Sequence, residues 1–345
     1  MSSSKKILII RTSAMGDVVM ASPLAEGFRK KFPEARICWL AEPQVAPLLE
    51  DNPNLDSVIV WPKLQWKVLF REKKFSRLLS EVMAFARKLR GEKFSLAVDA
   101  QGLLRTRLLA WFSGAPQRIG FESREPGQHL MTRLIPKGDD AHLMGSEYFY
   151  LLRQLGIEIT AKLTQSVQLS DASRAEAAQT LAKAGVTSPY AVFAPFTTRP
   201  QKHWFEHLWV QLAREVSEKL NITVIWLGGP SDAPAAEALS RDGGGYNLAG
   251  KTGLGASAAI VSKAAFVVGV DTGLTHMGSA FCLPTIALFG STCPYTDTRS
   301  PHTTVIYHPL PCSPCRRKPT CGGSHDCMQA ITVKAVLQAV IGKYQ

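Results

Sequence analysis

The sequence predicts an α/β fold with two domains, each built on a parallel sheet that helices cover on both faces. Short apolar runs rich in β-branched residues alternate with helix-like segments, which is the pattern of a parallel sheet. This alternation restarts near residue 188, and a chain of 345 residues is longer than one hydrophobic core usually serves. Polar or glycine-containing turns directly follow several strands, at the edge where such sheets bind ligands.

The elements are predicted in order along the chain. The first strand is Lys6–Ile10, followed by strands at 35–40, 57–61 and 94–99 and by helices at 18–31 and 75–90. An alanine-rich helix at 170–185 precedes the second series. That series has strands at Tyr190–Ala194, 223–227, 266–270 and Thr285–Phe289, and a last helix at 332–343.

We therefore expect two Rossmann-like domains with parallel sheets facing an interdomain cleft. The N-terminal domain is expected at 1–168, a linker helix at 169–188 and the C-terminal domain at 189–345. The C-terminal domain includes a cysteine-rich tail at 312–327 and a final helix that we expect to pack back on the N-terminal domain.

The chain is basic, since 40 Lys and Arg residues against 28 Asp and Glu residues give a formal net charge of +12. This excess favours an anionic partner: a nucleic acid, an acidic membrane surface or a phosphorylated substrate. Glycines and prolines interrupt the uncharged stretch 272–296, so no segment is expected to span a bilayer. The apolar run 7–10 is too short for a secretory signal peptide, and we expect a cytoplasmic protein.

The stretch 266–276 is the most informative part of the sequence. A β-branched run ends at Asp271-Thr272-Gly273, and a helical pattern begins at Leu274. A strand that leads through a tight turn into a helix is a common phosphate site, because the first helical turn has free N–H groups. Asp271 does not suit direct anion binding, so we expect it to orient loop amides or a sugar hydroxyl.

The turn at 11–17 follows the first strand and ends at Asp17. It has neither the glycine pattern of dinucleotide-binding folds nor the P-loop pattern. Asp17 lies at the start of a helix and at the carboxyl edge of the sheet. Two interpretations are open: a helix cap and a general base.

Two further strand ends carry polar groups. Thr197, Thr198 and Lys202 can contact phosphate oxygens, although a solvated basic loop has the same composition. Asp232 follows a Gly-Gly-Pro turn and can bind ribose hydroxyls, although the same residues also suit a plain turn. In all, four strand ends are polar and two of them suit a diphosphate, which favours a nucleotide diphosphate ligand.

These motifs resemble glycosyltransferase family 9, the ADP-heptose:lipopolysaccharide heptosyltransferases, over nearly the whole chain. The matching elements are Met15-Gly16-Asp17, Asp99-Ala100-Gln101-Gly102, Arg124-Glu125-Pro126, Thr197-Thr198 with Lys202-His203-Trp204, and Val270-Asp271-Thr272-Gly273-Leu274-Thr275-His276. Two of these elements resemble the heptosyltransferase I branch more than the heptosyltransferase II branch. The resemblance implies the GT-B fold, a donor site in the C-terminal domain, an acceptor site in the N-terminal domain, inversion at the anomeric carbon and no required metal.

The resemblance also implies residue roles. Asp17 corresponds to the family's catalytic base, and Asp232 stands where the family often has Glu. The implied donor-binding residues are Ser13, Gly16, Thr197, Thr198, Lys202, Asp232, Lys251, Thr252, Asp271, Thr272, Gly273 and His276.

The implied acceptor is Kdo-lipid A at the inner membrane surface, whose phosphates and carboxylates suit basic residues. The expected acceptor-binding residues are Lys63, Lys67, Arg71, Gln101, Arg105 and Arg124, with Lys73, Lys74, Arg107 and Arg118 in the same basic set. A solvated basic helix is the alternative interpretation. We expect a monomer, peripheral on the cytoplasmic face of the inner membrane, with no nucleic-acid partner.

The expected reaction transfers L-glycero-D-manno-heptose from ADP-heptose to Kdo-lipid A in lipopolysaccharide inner-core synthesis. Alternatives are a heptosyltransferase II/III-type or other family-9 transferase with a different acceptor, a basic nucleic-acid-binding protein, and an inactive sugar-binding protein. Trp61, Trp66 and Phe70 near the basic residues keep the nucleic-acid alternative open, but it leaves Asp17 and the Asp271 turn unexplained.

No cofactor is expected for catalysis, but the cysteines raise a separate question. Four of the seven lie in the tail: Cys312, Cys315, Cys321 and Cys327. Their spacing is compatible with a structural zinc ion, an iron–sulfur cluster or free thiols, and disulfides are not expected in a reducing cytosol. The remaining cysteines, expected as small core residues, are Cys38, Cys282 and Cys293.

Overall fold

A computed structural model describes residues 5–138, 140–187, 189–292, 294–315 and 318–344. The chain forms two compact units. The first comprises Met1–Asp139 and Gly145–Gln168, and the second comprises Asp140–Met144 and Leu169–Gln345. The short segment Asp140–Met144 belongs to the second unit because its backbone pairs with Asp297: Met144 N donates to the Asp297 carbonyl at 2.8 Å, and Asp297 N donates to the His142 carbonyl at 2.9 Å.

The described part of the first unit contains one parallel sheet. Its strands are β1 (Lys6–Ile10), β2 (Arg36–Ala41), β3 (Ser57–Val60), β4 (Leu96–Asp99), β5 (Gln117–Phe121) and β6 (Arg133–Ile135). Its helices are α1 (Met15–Ala21), α2 (Pro23–Lys31), α3 (Lys63–Arg71), α4 (Phe75–Gly91), α5 (Leu104–Phe112) and α6 (Ser146–Gln154). The strands lie in the order β3-β2-β1-β4-β5-β6, and all neighbours are parallel.

Both faces of this sheet are buried, which explains why its strands are apolar without alternation. On one face, Leu8 and Ile10 of β1 join the core that includes Phe85 and Leu89 of α4. On the other, Ile9 is fully buried as well.

The predicted helix at 18–31 is in fact two helices, and proline explains the break. Pro23 has no N–H to donate to the Val19 carbonyl. The Ser22 hydroxyl donates to that carbonyl instead, at 2.7 Å.

The described part of the second unit contains another parallel sheet. Its helices are α7 (Asp171–Lys183), α8 (Glu206–Leu220), α9 (Ala233–Gly243), α10 (Leu254–Ser262), α11 (Gly273–Ala280), α12 (Asp326–Gln329) and α13 (Val333–Tyr344). Its strands are β7 (Tyr190–Ala194), β8 (Thr223–Trp226), β9 (Tyr246–Asn247), β10 (Val267–Val270), β11 (Thr285–Phe289) and β12 (Thr303–Tyr307). The strand order is β12-β11-β10-β7-β8-β9, again parallel throughout. The predicted α/β class with two parallel sheets is confirmed.

The terminal helices of the second unit both pack within it. Helix α7 packs on α10, and the Glu176 carboxylate accepts a hydrogen bond from Gly253 N at 2.9 Å. Helix α13 packs on α8 and β11, and its Val336 and Val340 lie in the same core as Trp209. The expected contact of this helix with the N-terminal domain stays a prediction.

The two sheets share one strand order. Numbered from its own first strand, each reads 3-2-1-4-5-6, with the order reversing between the first and fourth strands. In open α/β sheets, ligands bind in the crevice at the carboxyl ends of these two strands. The relevant loops therefore follow β1 and β4 in the first unit, and β7 and β10 in the second. None of the described helices is both long and apolar enough to cross a bilayer.

Candidate active site

In the second unit, the loops after β7 and β10 are joined by a cluster of three charged or titratable side chains. Lys202 Nζ lies 2.5 Å from Asp271 Oδ2, and His276 Nε2 lies 3.2 Å from Asp271 Oδ1. The side chains are only 16%, 13% and 3% exposed for Lys202, Asp271 and His276. The sequence predicted all three as donor-binding residues, and the structure brings them together.

The electrostatics of this cluster fix the charge of Asp271. Burial alone would raise the pKa of the carboxyl, but the hydrogen bond and charge of His276 and the charge of Lys202 outweigh it and hold the pKa well below its usual range. Asp271 is therefore an ionised anchor. Its two oxygens contact Lys202 and His276. The expected orientation of loop amides or of a sugar hydroxyl by Asp271 stays a prediction.

Helix α11 starts beside this cluster with free donors. Thr272 is its N-cap residue, and the Thr272 side chain makes no capping hydrogen bond to the first turn of the helix. The free amides and the helix dipole together favour an anion at this end. The helix packs closely on its strand. Thr275 Oγ1 donates a hydrogen bond to the Val270 carbonyl at 2.7 Å. A side chain at Gly269 would clash with Thr275 Oγ1, so this position requires glycine.

The loop after β7 is pinned by His203 and Trp204. His203 Nε2 donates to the Thr197 carbonyl at 2.9 Å, and the buried Trp204 donates to the Ile331 carbonyl at 3.0 Å. Both residues hold the loop in place. The Thr198 side chain is exposed and Thr197 half-buried.

The loops after β8 and β9 hold the remaining predicted donor residues. Asp232 Oδ2 accepts from Gly229 N at 2.8 Å, so this carboxylate closes its own turn. Thr252 Oγ1 lies 2.7 Å from Ser257 Oγ, and Lys251 is exposed. Since Oδ2 has this backbone partner, Oδ1 is the oxygen expected to bind a ribose hydroxyl. A ribose contact by Asp232 stays a prediction.

In the first unit, a polar cluster joins the ends of β1, β2 and β4. Gln101 Oε1 accepts from Thr12 N and from Thr12 Oγ1, both at 3.0 Å. Thr12 Oγ1 also lies 3.3 Å from Glu42 Oε1, which is 2.8 Å from Lys63 Nζ. Asp99 shapes the β4 turn by accepting from Gln101 N at 3.0 Å and from Gly102 N at 3.1 Å.

Sequence reasoning missed Glu42. It directly follows β2 and is 8% exposed, so the strand-end rule that selected the other sites would also have selected it. Lys63 was expected to bind an acceptor anion, but its ammonium already forms an ion pair with Glu42 of the same unit.

Asp17 lies at the third position of α1 and caps that helix, whereas its role as a general base stays a prediction. Its Oδ2 accepts from Ala14 N at 3.2 Å, which caps the helix, and forms an ion pair with the Arg11 guanidinium. Burial alone would lower the pKa of Arg11, but Tyr148 and Asp17 raise it. The Asp17 side chain is still 39% exposed, so a substrate can reach it. Ser13 and Gly16 line the same turn and are partly buried.

The basic residues of the first unit separate into two groups. Lys67, Arg71, Arg105 and Arg124 are exposed, as acceptor binding requires. The inclusion of two arginines in this set was wrong. Arg107 is fully buried and donates to the Phe121, Glu125 and Pro126 carbonyls, and Arg118 donates to the Ala115 and Leu130 carbonyls.

The cysteines depart from expectation in two ways. Cys282 is exposed at positive φ, in the turn after α11, so its assignment to the core was wrong, whereas Cys38 is buried. Cys293 lies outside the described residues. Among the residues that are described, no group of three or more His, Cys, Asp or Glu side chains is arranged to hold a metal ion, and a structural zinc at Cys312, Cys315, Cys321 and Cys327 stays a prediction.

Comparison with known proteins identifies the family. The family model described as glycosyltransferase family 9 (heptosyltransferase) matches residues 82–324. The chain belongs to this family. Membership confirms the predicted family and the glycosyltransferase class, and it leaves the basic nucleic-acid-binding alternative without support.

Two relatives and one solved structure of family 9 illustrate the similarity. The chain is 28% identical over 324 residues to lipopolysaccharide heptosyltransferase 1 of Pseudomonas aeruginosa, covering 92% of this chain and 87% of that protein. It is 24% identical over 352 residues to lipopolysaccharide heptosyltransferase 2 of Escherichia coli K12, covering 96% and 97%. The structure of E. coli heptosyltransferase WaaC with ADP-2-deoxy-2-fluoro heptose matches with a TM-score of 0.71 and 25% identity, over 98% of this chain and 99% of that one. The GT-B prediction is confirmed by this match.

Proposed function

We propose that this chain transfers heptose from ADP-heptose to Kdo-lipid A in lipopolysaccharide core synthesis, with inversion at the anomeric carbon. The observation that carries the donor assignment is the Lys202–Asp271–His276 cluster beside the free N-terminus of α11. A fixed ammonium next to a helix N-terminus suits a diphosphate. The relative whose solved structure holds an ADP-heptose analogue supports the same donor.

The proposed mechanism is a single displacement. Asp17 accepts the proton of the acceptor hydroxyl while the hydroxyl oxygen bonds to the anomeric carbon. The bond between that carbon and the donor's phosphate oxygen breaks, and ADP leaves with the electron pair. One base without a second, nucleophilic carboxylate fits inversion.

The reaction also requires that the negative charge that develops on the departing ADP be stabilised. Lys202 is held by Asp271 and needs little reorganisation to face a phosphate, and the amides after Thr272 add fixed donors. Thr197 and Thr198 supply hydroxyls from the neighbouring loop. We propose that these groups stabilise the leaving group without a metal ion, since they provide the positive charge that a cation would otherwise contribute.

The acceptor assignment is supported by exposed basic residues in the first unit, Lys67, Arg71, Arg105 and Arg124. Two sequence elements that resemble the heptosyltransferase I branch, Arg124-Glu125-Pro126 and the segment 197–204, are the basis for proposing Kdo-lipid A rather than an acceptor that already carries heptose. An acceptor embedded in a membrane implies that the enzyme works as a peripheral protein on the cytoplasmic face.

The test is donor-dependent ADP release with two acceptors, Kdo-lipid A and heptosyl-Kdo-lipid A, for the wild type and for Asp17→Asn. We expect turnover with the first acceptor and a strong loss in the variant. Turnover with the second acceptor alone would replace the proposed step by the next one. No ADP release with either acceptor would overturn the proposed function.

A further inference from the structure

The exposed apolar side chains of this protein are concentrated on one helical hairpin. Six of the ten large apolar side chains that are exposed among the described residues belong to α3 and α4. They are Leu64, Val68, Phe70, Phe75, Leu79 and Met83, with exposed fractions between 48% and 63%. Such a concentration on a water-facing surface usually marks an interaction site.

The hairpin is built so that its tip stays apolar. The rings of Phe70 and Phe75 pack edge to face with centroids 5.8 Å apart, although both remain more than half exposed. The turn between them is ordered by backbone hydrogen bonds from Lys73 N to the Phe70 carbonyl at 3.1 Å and from Lys74 N to the Leu69 carbonyl at 2.9 Å. Lys73 takes positive φ to close it.

Only the base of the hairpin is anchored in the core. Leu69 of α3 and Phe85, Ala86 and Leu89 of α4 are buried, whereas no residue in the first ten positions of α4 is. The apolar tip therefore contributes little to the stability of the unit, and its exposure needs another explanation.

The charge of the same hairpin indicates the partner. Residues 63–91 contain nine Lys or Arg and two Glu, a net charge of +7. Lysine is depleted at protein–protein interfaces, and a second copy of so basic a surface would repel the first. Nucleic acids stack on aromatic rings but gain little from the aliphatic Leu64, Val68, Leu79 and Met83. A basic helix with a bulky apolar face suits an anionic bilayer surface.

We infer that the α3–α4 hairpin docks the enzyme on an anionic membrane, with Phe70 and Phe75 entering the boundary between headgroups and acyl chains. Arg77 and Lys73 contact the headgroup phosphates. This inference deepens the proposed function and rests on it only in that a lipid acceptor gives the docking a purpose.

The test measures binding to vesicles without any acceptor, so that it does not depend on the transfer reaction. The wild-type protein is mixed with vesicles of phosphatidylethanolamine and phosphatidylglycerol, or of phosphatidylcholine alone, and bound protein is measured by sedimentation. We expect binding to the anionic vesicles only, with a strong salt dependence.

Two variants and one control separate the contributions. Phe70→Ser with Phe75→Ser removes both rings and should weaken binding at least about ten-fold. Lys73→Asn with Arg77→Gln removes two charges and should weaken it about five-fold per charge. Trp111→Ser, at a side chain of α5 that is 45% exposed, is the matched control and should bind as the wild type does.

Thermal unfolding of each variant verifies that the fold is retained, which the exposure of these side chains predicts. Equal vesicle binding by the wild type and the double-Phe variant would overturn the inference, and so would absence of binding by the wild type. If the wild type is a dimer that the double-Phe variant splits, with no vesicle binding, the surface is a self-association site and the inference fails. Vesicle binding without heptosyl transfer would instead contradict only the proposed function.

Discussion

Lys202 and Asp271, 69 residues apart in the sequence, form an ion pair of 2.5 Å that joins the loops after β7 and β10. These are the first and fourth strands of the second sheet, between which the strand order reverses. The ion pair thus links the two loops at the crevice in which a nucleotide is expected to bind. It also fixes the position of Lys202, from which its ammonium can contact a phosphate.

Replacing Lys202 by Met should remove the fixed positive charge next to the leaving group. We expect kcat to fall about 10²- to 10³-fold, as on loss of a preorganised donor. Single-turnover kinetics with ADP-heptose would measure this. Lys219→Met, at an exposed residue of α8, is the control and should keep full activity. Near-wild-type kcat in Lys202→Met would remove this residue from the transfer step.

Asp271→Asn should lower stability in a pH-dependent way. Burial raises the pKa of Asp271, but His276 and Lys202 bring it well below the ordinary value of 3.8, so the folded protein binds fewer protons than the unfolded one just below that value. The contribution of the carboxylate is fully present about one pH unit and more above 3.8, and it is lost as the pH falls through and below that value.

The measurement is denaturant unfolding of the wild type and Asp271→Asn across this range. At neutral pH the variant should be less stable by about 3 kcal/mol, because the buried Lys202 loses its partner. The difference should stay constant down to about pH 5 and shrink in more acidic solution. A difference that grows on acidification would contradict the assigned charge state.

Asp17→Asn should reduce kcat about 10²- to 10⁴-fold through loss of the base, with little change in the KM for donor. The amide oxygen can still accept from Ala14 N, so α1 should keep its cap, but the largely buried Arg11 loses its carboxylate partner and the melting temperature should fall. A lowered melting temperature with a kcat near that of the wild type would show that pairing with Arg11, rather than proton transfer, is the main role of Asp17. Glu26→Gln on α2 provides the control.

Lys67→Glu should raise the KM for an anionic acceptor and leave the KM for donor unchanged, because Lys67 is exposed. Lys63→Glu should behave differently. The new carboxylate would face Glu42, whose side chain is largely buried, so we expect loss of stability together with loss of acceptor binding. Steady-state kinetics and thermal unfolding of both variants would distinguish the two effects. Identical behaviour of the two variants would contradict the Glu42–Lys63 pairing.

The sequence predicts eight of the twelve strands in the described residues, because most of these eight are short, apolar and buried on both faces. The predicted bounds of β1, β7 and β11 agree with the structure. The helix at 18–31 was the main error in the first unit, although Pro23 was visible within it and is a known cause of helix breaks. Strands β5 and β6 were missed, since β5 carries Gln117 and Arg118 and β6 begins with Arg133, so the apolar run is interrupted.

The site was harder to predict, because a sequence does not tell which charged side chains pair with each other. Arg107 and Arg105 are two residues apart, yet one is buried on backbone carbonyls and the other is exposed. Lys63 and Lys67 lie on one helix, but only the first has a carboxylate beside it. Strand-end positions identified Asp17, Lys202 and Asp271, and local motifs alone could not assign Asp271 to Lys202 and His276.

The short segment Asp140–Met144 has a practical consequence for engineering this enzyme. It belongs to the second unit although the chain on both sides of it belongs to the first, and its backbone is bonded to Asp297. A hybrid protein joined at a single point near residue 168 would therefore take Asp140–Met144 and Asp297 from different parent proteins. Hybrids that exchange the first unit between relatives should be joined at three points, at 139/140, 144/145 and 168/169, so that Asp140–Met144 and Asp297 come from the same parent protein.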